Sequence, residues 1–351
     1  MCVWKFLESE MLVMLGLTED ADRTDSEIAD IFNLKKGTVS SVRRRLLDAG
    51  AIQYVNVPSL NKLGCELIGA HIGSTEPSTR ADQRIIHYQE FCSKTPQIFH
   101  AMMGGGSVAL FSAFRNATEY DGFVTLHNHF FSGSRRSSKA RLMSCMFPFT
   151  LTKMSEAPSF AGIVYRHFGL DVPSPRVRPL LSHDVESPDL TGTEKQTMVH
   201  MVENPDCSDR EIAAKVGLSR QAITRIRNKF TDSNLIRRVC MPRLLKWGFE
   251  LIATSHSRFN MEVSWEKRLK SQPKEIADLS FFTLSKADEA VTNHALARFA
   301  DYSNDLEGTL AWYHKMKALD EDPGITLFSL DRCTELRVFD YGPAVRNLLL
   351  K

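Results

Sequence analysis

Apolar residues recur three and four positions apart in the first fifty residues, and this spacing predicts helices. A predicted helix over 36–49 carries Val39, Val42 and Leu46 on one face. The shorter helix before it begins at Thr24-x-x-Glu27, the spacing of a capping box, in which a hydroxyl and a carboxylate satisfy free backbone N–H groups. Two helices joined by a tight turn predict a helix-turn-helix, and the segment AIQYVNV follows as the strand of a wing.

The same pattern returns 184 residues later without a gap. Residues 10–72 and 194–256 share 20 identities in 63 positions, among them the capping spacing Ser208-x-x-Glu211. The second long helix is predicted over 220–233. A repeat of this length predicts a duplicated multi-part protein, because solenoid repeats are much shorter.

After each helical region the pattern predicts strand, helix, strand, strand, helix and strand. In the first copy these elements are Leu67–Ile72, Asp82–Ser93, Ile98–Met103, Val108–Phe114, Glu119–Phe131 and Leu142–Phe147. In the second copy they are Leu251–Ser255, Val263–Leu269, Leu279–Leu284, Val291–Phe299, Tyr302–Met316 and Ile325–Leu330. This order is ferredoxin-like. Short amphipathic segments, 160–170 and 341–351, close the two copies.

We therefore predict an α+β fold in which two winged helix-turn-helix domains alternate with two ferredoxin-like (β-α-β-β-α-β) domains. The predicted limits are 1–66 and 193–251 for the winged helix-turn-helix domains, and 67–170 and 252–351 for the ferredoxin-like domains, which are sensing domains in the family named below. Residues 171–192 hold four prolines without a helical period and are predicted to be the linker.

Charge is distributed unequally between the two helix-turn-helix regions. Residues 193–251 contain 11 Lys and Arg against 7 Asp and Glu, a net charge of +4. Residues 1–66 contain 8 against 10, a net charge of −2, although segment 35–47 is basic. Basic side chains neutralise phosphates, so the second copy is the better predicted binder of nucleic acid.

Polar side chains on the outward faces of the two long helices are the candidate contacts to double-stranded DNA. Arg and Lys neutralise phosphates or bind guanine, and Gln and Asn bind adenine. The candidates are Lys36, Thr38, Ser41, Arg44, Arg45, Arg220, Gln221, Thr224, Arg225, Asn228 and Lys229. Arg43 and Arg227 lie beside the apolar face, and we expect them to pair with Glu27 and Glu211. A solvated helix face is the alternative interpretation of these charges.

Few other residues suggest chemistry. Gly104, Gly105 and Gly106 let a small effector approach backbone N–H groups, or else form a hairpin turn. The seven cysteines form no CxxC and are typical of free thiols in a reducing cytoplasm. Histidine spacing predicts no metal site, and we predict no cofactor. No apolar run is long enough to cross a membrane.

Segments 27–64 and 211–248 together resemble the Lrp/AsnC (feast/famine) regulators. The shared features are a short helix, a turn, a helix with an internal Arg, and a Leu-Gly or Trp-Gly pair before the first sheet strand. The resemblance implies sequence-specific DNA binding in the cytoplasm, effector sensing of an amino acid or a similar small molecule, and homo-oligomers. Lys35 departs from the usual capping Ser, which Ser219 keeps. The family's ligand motif is also altered, to GGGSVALF (104–111) and SKADEAVT (285–292).

Two functions are compatible with these features. The favoured one is a transcription regulator without enzymatic activity, in which the two sensing domains of one chain pair as a pseudo-dimer and such pseudo-dimers associate further. The alternative is a tetrapyrrole-modifying enzyme similar to siroheme decarboxylases, which resemble Lrp/AsnC proteins. Scattered histidines and basic outer helix faces favour the regulator.

Overall fold

The computed structural model describes residues 6–75, 79–132, 141–154, 158–173, 181–182, 188–273 and 277–350. Its elements up to the linker are α1 (Glu8–Glu19), α2 (Asp25–Phe32), α3 (Lys36–Asp48), β1 (Ile52–Pro58), β2 (Leu67–Ser74), α4 (Ala81–Lys94), β3 (Ile98–Gly104), β4 (Ser107–Phe114), α5 (Ala117–Ser132), β5 (Arg141–Pro148), β6 (Lys153–Met154) and α6 (Ala161–Phe168).

The later elements repeat much of this order. They are β7 (Leu181–Ser182), α7 (Gly192–Glu203), α8 (Asp209–Val216), α9 (Arg220–Asp232), β8 (Ile236–Pro242), a 3-10 helix (Leu244–Trp247), β9 (Leu251–Arg258), α10 (Trp265–Ser271), β10 (Ser280–Ser285), β11 (Glu289–Leu296), α11 (Phe299–Met316), β12 (Gly324–Ser329), β13 (Thr334–Arg337) and α12 (Gly342–Leu349). The bounds of α7, α8, α9, β8 and β9 lie 184 positions after those of α1, α2, α3, β1 and β2.

Both predicted capping boxes are present. The Thr24 hydroxyl accepts from the Glu27 N–H at 3.3 Å, and the Glu27 carboxylate accepts from the Thr24 N–H at 2.7 Å. Ser208 and Glu211 repeat both bonds at the same distances. Left-handed residues end the two short helices, Asn33 with a φ of 52° and Gly217 with a φ of 70°. These ends fix the turn that leads into each long helix.

The chain divides into two compact units, and each unit draws on both halves of the sequence. The first unit comprises Met1–Tyr54, Lys153–Leu181 and Arg238–Asp331. The second comprises Val55–Thr152, Ser182–Arg237 and Arg332–Lys351. Each unit therefore combines the helix-turn-helix of one half with the ferredoxin-like sheet of the other half. The domain limits that the sequence suggests stay a prediction.

In the second unit the sheet has the strand order β13-β3-β4-β2-β5. All of its neighbouring strands are antiparallel, with Leu67 opposite Phe114 in β2 and β4. Helices α4 and α5 cover this sheet with buried rings, among them Tyr88, Phe91 and Phe123. Burial of such large apolar side chains is the main stabilising contribution to the layer.

In the first unit the sheet has the order β12-β9-β11-β10-β6-β7. Leu251, Ala253, Leu279 and Leu296 are buried together on this sheet. The described side chains of α11 include none that is fully buried. Strands β1 and β8 form a separate two-stranded sheet.

Several predicted bounds are corrected by the structure. The strand predicted over 291–299 ends at Leu296, and Phe299 already belongs to α11. The helix predicted from Val263 begins at Trp265, because the Ser264 hydroxyl caps it by accepting from the Lys267 N–H at 3.3 Å. Strands β6, β7 and β13 are not predicted, since two to four residues carry no readable period.

Most of the predicted linker, 171–192, lies outside the described residues, which there include only 171–173, 181–182 and 188–192. Within the described part of the chain, no helix is both long enough and apolar enough to cross a membrane.

Histidines inside the sheets predict acid sensitivity. Burial lowers the pKa of His71 to about 3, with a smaller contribution from His127, and burial lowers the pKa of His100 and of His294 to about 4. The folded state keeps these rings neutral, whereas the unfolded chain protonates them below its ordinary pKa near 6.5. The free energy of unfolding should therefore fall as the pH falls from about 6.5 towards 4.

The variant His100→Phe keeps a ring against Phe339, whose centroid lies 4.2 Å from that of His100. For each pH unit in this window, the free energy of unfolding of this variant should fall by up to about 1.4 kcal/mol less than that of the unmodified protein. Denaturant titrations at pH 4.5, 5.5, 6.5 and 7.5 measure the slope, with the exposed His129→Phe as the control. An unchanged slope in His100→Phe would show that His100 is protonated in the folded state.

Candidate DNA-binding surface

Helix α9 presents one face to the core and one to solvent. Ile223 and Phe230 are completely buried and Ile226 is 9% exposed, so the helix is anchored along a single stripe. The remaining polar face lines a shallow surface depression of about 500 Å³. Its residues are Arg220, Gln221, Thr224, Arg225 and Asn228, all of them exposed. The structure thus places together five of the six candidates that the sequence predicts for this helix.

Asp209 at the start of α8 holds α9 in place. Its carboxylate accepts from the Thr224 hydroxyl and from the Arg227 Nε, each at 2.7 Å. Burial alone would raise the pKa of Asp209, but these two hydrogen bonds and the positive charge of Arg227 lower it. Thr224 is therefore engaged within the protein, and the angle between the two helices is fixed by a charged pair.

Lys229 is also engaged. Its Nζ lies 2.5 Å from Glu194 Oε1 on α7. The equivalent residue of the first copy, Arg45, lies with its Nη2 2.7 Å from Glu10 Oε1, a carboxylate that is only 2% exposed. Both were candidate DNA contacts, and the structure shows both as intramolecular ion pairs between the first and third helices.

The partners expected for Arg43 and Arg227 are wrong. Arg227 pairs with Asp209, and Arg43 places its Nε 2.7 Å from Asp25 Oδ1. The expected partners, Glu27 and Glu211, are occupied by the capping boxes. The sequence contained the signal for this result, because Asp25 and Asp209 also recur 184 positions apart.

The outer face of α3 carries fewer exposed candidate residues than that of α9. Val39, Val42 and Leu46 are buried, and Lys36, Ser41 and Arg44 are exposed, while Thr38 is half-buried. Lys35 precedes the helix without a side-chain cap, whereas the Ser219 hydroxyl accepts from the Ala222 N–H at 3.2 Å.

The candidate surface consists of exposed side chains that form no hydrogen bond or ion pair with any described residue. They are Arg220, Gln221, Arg225 and Asn228 on α9, and Lys36, Ser41 and Arg44 on α3. They are free to contact an external partner without first breaking an internal bond.

The three glycines proposed for an effector lie at the β3–β4 hairpin. Gly105 and Gly106 have φ angles of 59° and 87°, which suit a hairpin turn between antiparallel strands. The Gly106 carbonyl accepts from the N–H and the hydroxyl of Thr75, at 2.7 and 3.0 Å. A side chain at Gly104 would come within 2.9 Å of the Cys333 Cα. The effector role of these glycines stays a prediction.

Comparison with known proteins supports part of the expected function. A family model described as winged helix-turn-helix DNA-binding matches residues 190–237, which contain α7, α8 and α9. No curated protein matches the sequence. The chain thus contains a winged helix-turn-helix DNA-binding domain in its second half.

Solved structures show what the whole fold is similar to. The siroheme decarboxylase NirDL matches with a TM-score of 0.53 and 11% identity, over 97% of this chain and 98% of that chain. The same enzyme in co-complex with an iron-uroporphyrin III analogue matches with a TM-score of 0.51 and 11% identity, over 97% and 99%. B. subtilis LrpC matches over 41% of this chain and 94% of its own, with 15% identity and a TM-score of 0.32.

The expectation that the chain is not an enzyme is contradicted by this comparison. Two structures that match 97% of the chain are those of an enzyme, although the identity is only 11%. The expectation of no enzymatic activity is therefore wrong.

The buried Glu10 carboxylate predicts unequal costs for two equivalent substitutions. Arg45→Met leaves Glu10 without its cation in a buried position and should lower the free energy of unfolding by about 1–2 kcal/mol, since half of the Arg45 side chain remains in water. Lys229→Met should cost less than about 1 kcal/mol, because Glu194 is more exposed and keeps its bonds from Thr191. Chemical denaturation compares the two variants, and a larger cost for Lys229→Met would contradict the assignment.

Proposed function

We propose that the protein is a sequence-specific transcription regulator that binds double-stranded DNA through α9. The observation that carries this proposal is the exposed face of Arg220, Gln221, Arg225 and Asn228, unengaged within the protein and set in the matched winged helix-turn-helix domain. Two guanidinium groups and two amides supply phosphate contacts as well as base-reading donors and acceptors.

The chemistry of the four side chains suggests how the contacts divide. Arg220 and Arg225 bind phosphates or the O6 and N7 acceptors of guanine, whereas Gln221 and Asn228 form paired hydrogen bonds with adenine. The net charge of +4 over residues 193–251 adds attraction that does not depend on sequence. Asp209 supports the arrangement indirectly, because it holds Arg227 and Thr224 and so orients the helix.

The first copy has a lesser part in this proposal. At the positions equivalent to Gln221, Arg225 and Asn228 it carries Gly37, Ser41 and Arg44. These side chains offer one guanidinium and little base-reading capacity. The chain should therefore bind mainly through α9, or prefer an imperfect palindrome.

Other parts of the proposal rest on the repeat. Matching element bounds at an offset of 184 support an origin by duplication. Pairing of the two sensing domains as a pseudo-dimer, further association of chains, response to a small effector and a cytoplasmic location stay predictions.

The two copies are tested by a matched pair of substitutions. Arg225→Ala should weaken DNA binding more than Arg44→Ala, because its domain carries the net positive charge. Each lost phosphate contact should also reduce the slope of log affinity against log salt by about one. Fluorescence anisotropy at several salt concentrations measures both quantities.

Two outcomes would revise this assignment. Equal losses from Arg225→Ala and Arg44→Ala would show that both helices contribute. No loss from either substitution, in folded protein, would rule out DNA binding through these helices.

A second candidate function is favoured by the full-length likeness to siroheme decarboxylase NirDL. In this case the protein modifies a tetrapyrrole on the same scaffold. The purified protein incubated with siroheme would then show a shifted Soret band and release carbon dioxide. An unchanged spectrum together with salt-sensitive retention on heparin would leave DNA binding as the function.

A further inference from the structure

The first unit contains a buried cation without a counter-ion. Arg268 on α10 is only 5% exposed. Its Nη2 donates to the Lys286 carbonyl at 3.3 Å, but its Nη1 is buried and has no hydrogen-bond partner. Among the described residues no carboxylate forms an ion pair with it: Asp288 pairs with Lys286, and Glu266 with Lys153.

A cluster of aromatic rings lies on one side of this guanidinium. Its central carbon lies 3.8 Å from the centroid of the Phe259 ring, a cation–π contact. The Phe259 ring lies 5.7 Å from that of Tyr313 on α11, and the Tyr313 ring lies 4.5 Å from that of Trp312. These contacts place α10, the end of β9 and the end of α11 around one group.

The neighbouring polar atoms are also donors without acceptors. Trp312 Nε1 is buried and has no partner. The Tyr313 hydroxyl makes no hydrogen bond to any residue that the structure describes. Burial raises the pKa of Tyr313 to about 12, while the positive charge of Arg268 acts in the opposite direction. Tyr313 therefore stays protonated and able to donate at neutral pH.

Such an arrangement is unfavourable by itself. Burying a cation without an anion costs more free energy than a cation–π contact returns. A buried donor that lacks an acceptor adds a further cost. A negatively charged acceptor would satisfy both Arg268 Nη1 and the Tyr313 hydroxyl.

We propose that Arg268 is the centre of an anion-binding site, in which an oxyanion, a carboxylate or a phosphate, binds Nη1 with help from the Tyr313 hydroxyl. A guanidinium is suited to this chemistry because its planar N–H groups match two oxygens of one oxyanion. The buried aromatic surroundings strengthen the charge interaction. The residues of this site belong to elements other than α9, and the proposal does not depend on the proposed DNA binding.

The second copy differs from the first at this place. An arginine recurs 184 positions earlier, at Arg84 on α4, but Thr75 stands where Phe259 packs in the second copy. Arg84 is half-buried and already has an interaction partner within the protein. It is therefore a matched control: an arginine of the equivalent helix that already has a partner within the protein and no Phe259 ring beside it.

The test measures anion binding by the full chain. Inorganic phosphate and sodium acetate are titrated separately at pH 7, at constant ionic strength against sodium chloride, with the thermal midpoint and calorimetric heat as readouts. An anion that binds only the folded state raises the midpoint by mass action. We expect a rise with at least one probe. A response to phosphate alone assigns the site to phosphates, and a response to acetate alone assigns it to carboxylates.

Substitutions locate the effect. Arg268→Met keeps the apolar stem and should weaken binding at least tenfold, Tyr313→Phe should weaken it severalfold, and Arg84→Met should bind as the unmodified protein does. If Arg268→Met does not fold, Arg268→Lys keeps the charge but loses the planar fork, and it should still weaken binding at least fivefold. The absence of a response to both probes would overturn the proposal, as would an equal response of the Arg268 variants and the unmodified protein.

Discussion

The guanidinium of Arg337 donates to three backbone carbonyls at the place where helix α4 leads into strand β3. Helix α4 ends at Lys94, and the last carbonyls of a helix have no partners inside it. Arg337 donates to the carbonyls of Cys92, Thr95 and Ile98, across the end of α4 and the start of β3. The arginine comes from a segment more than 200 residues away in sequence, so this contact ties the C-terminal tail to a distant sheet.

Further contacts attach the same C-terminal tail to the second unit. Strand β13 pairs with β3, and Tyr341 stacks on Phe99 with ring centroids 4.8 Å apart. The tail then enters α12, where Arg346 donates twice to Glu203 of α7, at 2.7 and 2.6 Å. The helix-turn-helix that carries α9 is therefore attached to the sheet of the other half by the tail of its own half of the chain.

In the first unit, different side chains attach the tail of the first half to the sheet of the second half. The tail of the first half pairs as β6 with β10 and stacks Phe160 on Phe281, with ring centroids 5.1 Å apart. The ring nitrogen of His167 lies 2.8 Å from the Trp247 carbonyl, and Trp247 Nε1 donates to Ala51 at 2.8 Å. Gly162 lies close to the Asp278 backbone, where a Cβ would come within 3.0 Å. Helix α6 thus reaches both a sheet and a helix-turn-helix, as α12 does.

The elements that were readable from the sequence are those stabilised locally. Capping boxes and apolar stripes determine α2, α3, α8 and α9 within a few residues, so their bounds and the exposed face of α9 could be predicted. The ion pairs could not be predicted in the same way, because they depend on which carboxylate oxygens are not already used in the capping boxes. These are the pair of Arg43 with Asp25 and the pairs of Arg45 and Lys229 with Glu10 of α1 and Glu194 of α7. In the tails, the amphipathic segments 160–170 and 341–351 were readable and contain α6 and α12. Strands β6 and β13 could not be predicted, because they form only against a partner strand far away in sequence.

Two similar segments in one chain are free of the symmetry that a homodimer imposes. In a homodimer every substitution appears at both equivalent sites, whereas here Gln221 in one segment corresponds to Gly37 in the other. The positions that are identical in the two segments and the positions that differ have different structural roles. Asp25 and Asp209, with Arg43 and Arg227, keep the helices braced in both copies, while the outward side chains of α3 and α9 differ. The Asp–Arg pairs hold a whole helix in place, whereas outward side chains such as Gln221 and Arg225 form no hydrogen bond or ion pair with any described residue, so a change there disturbs no internal bond.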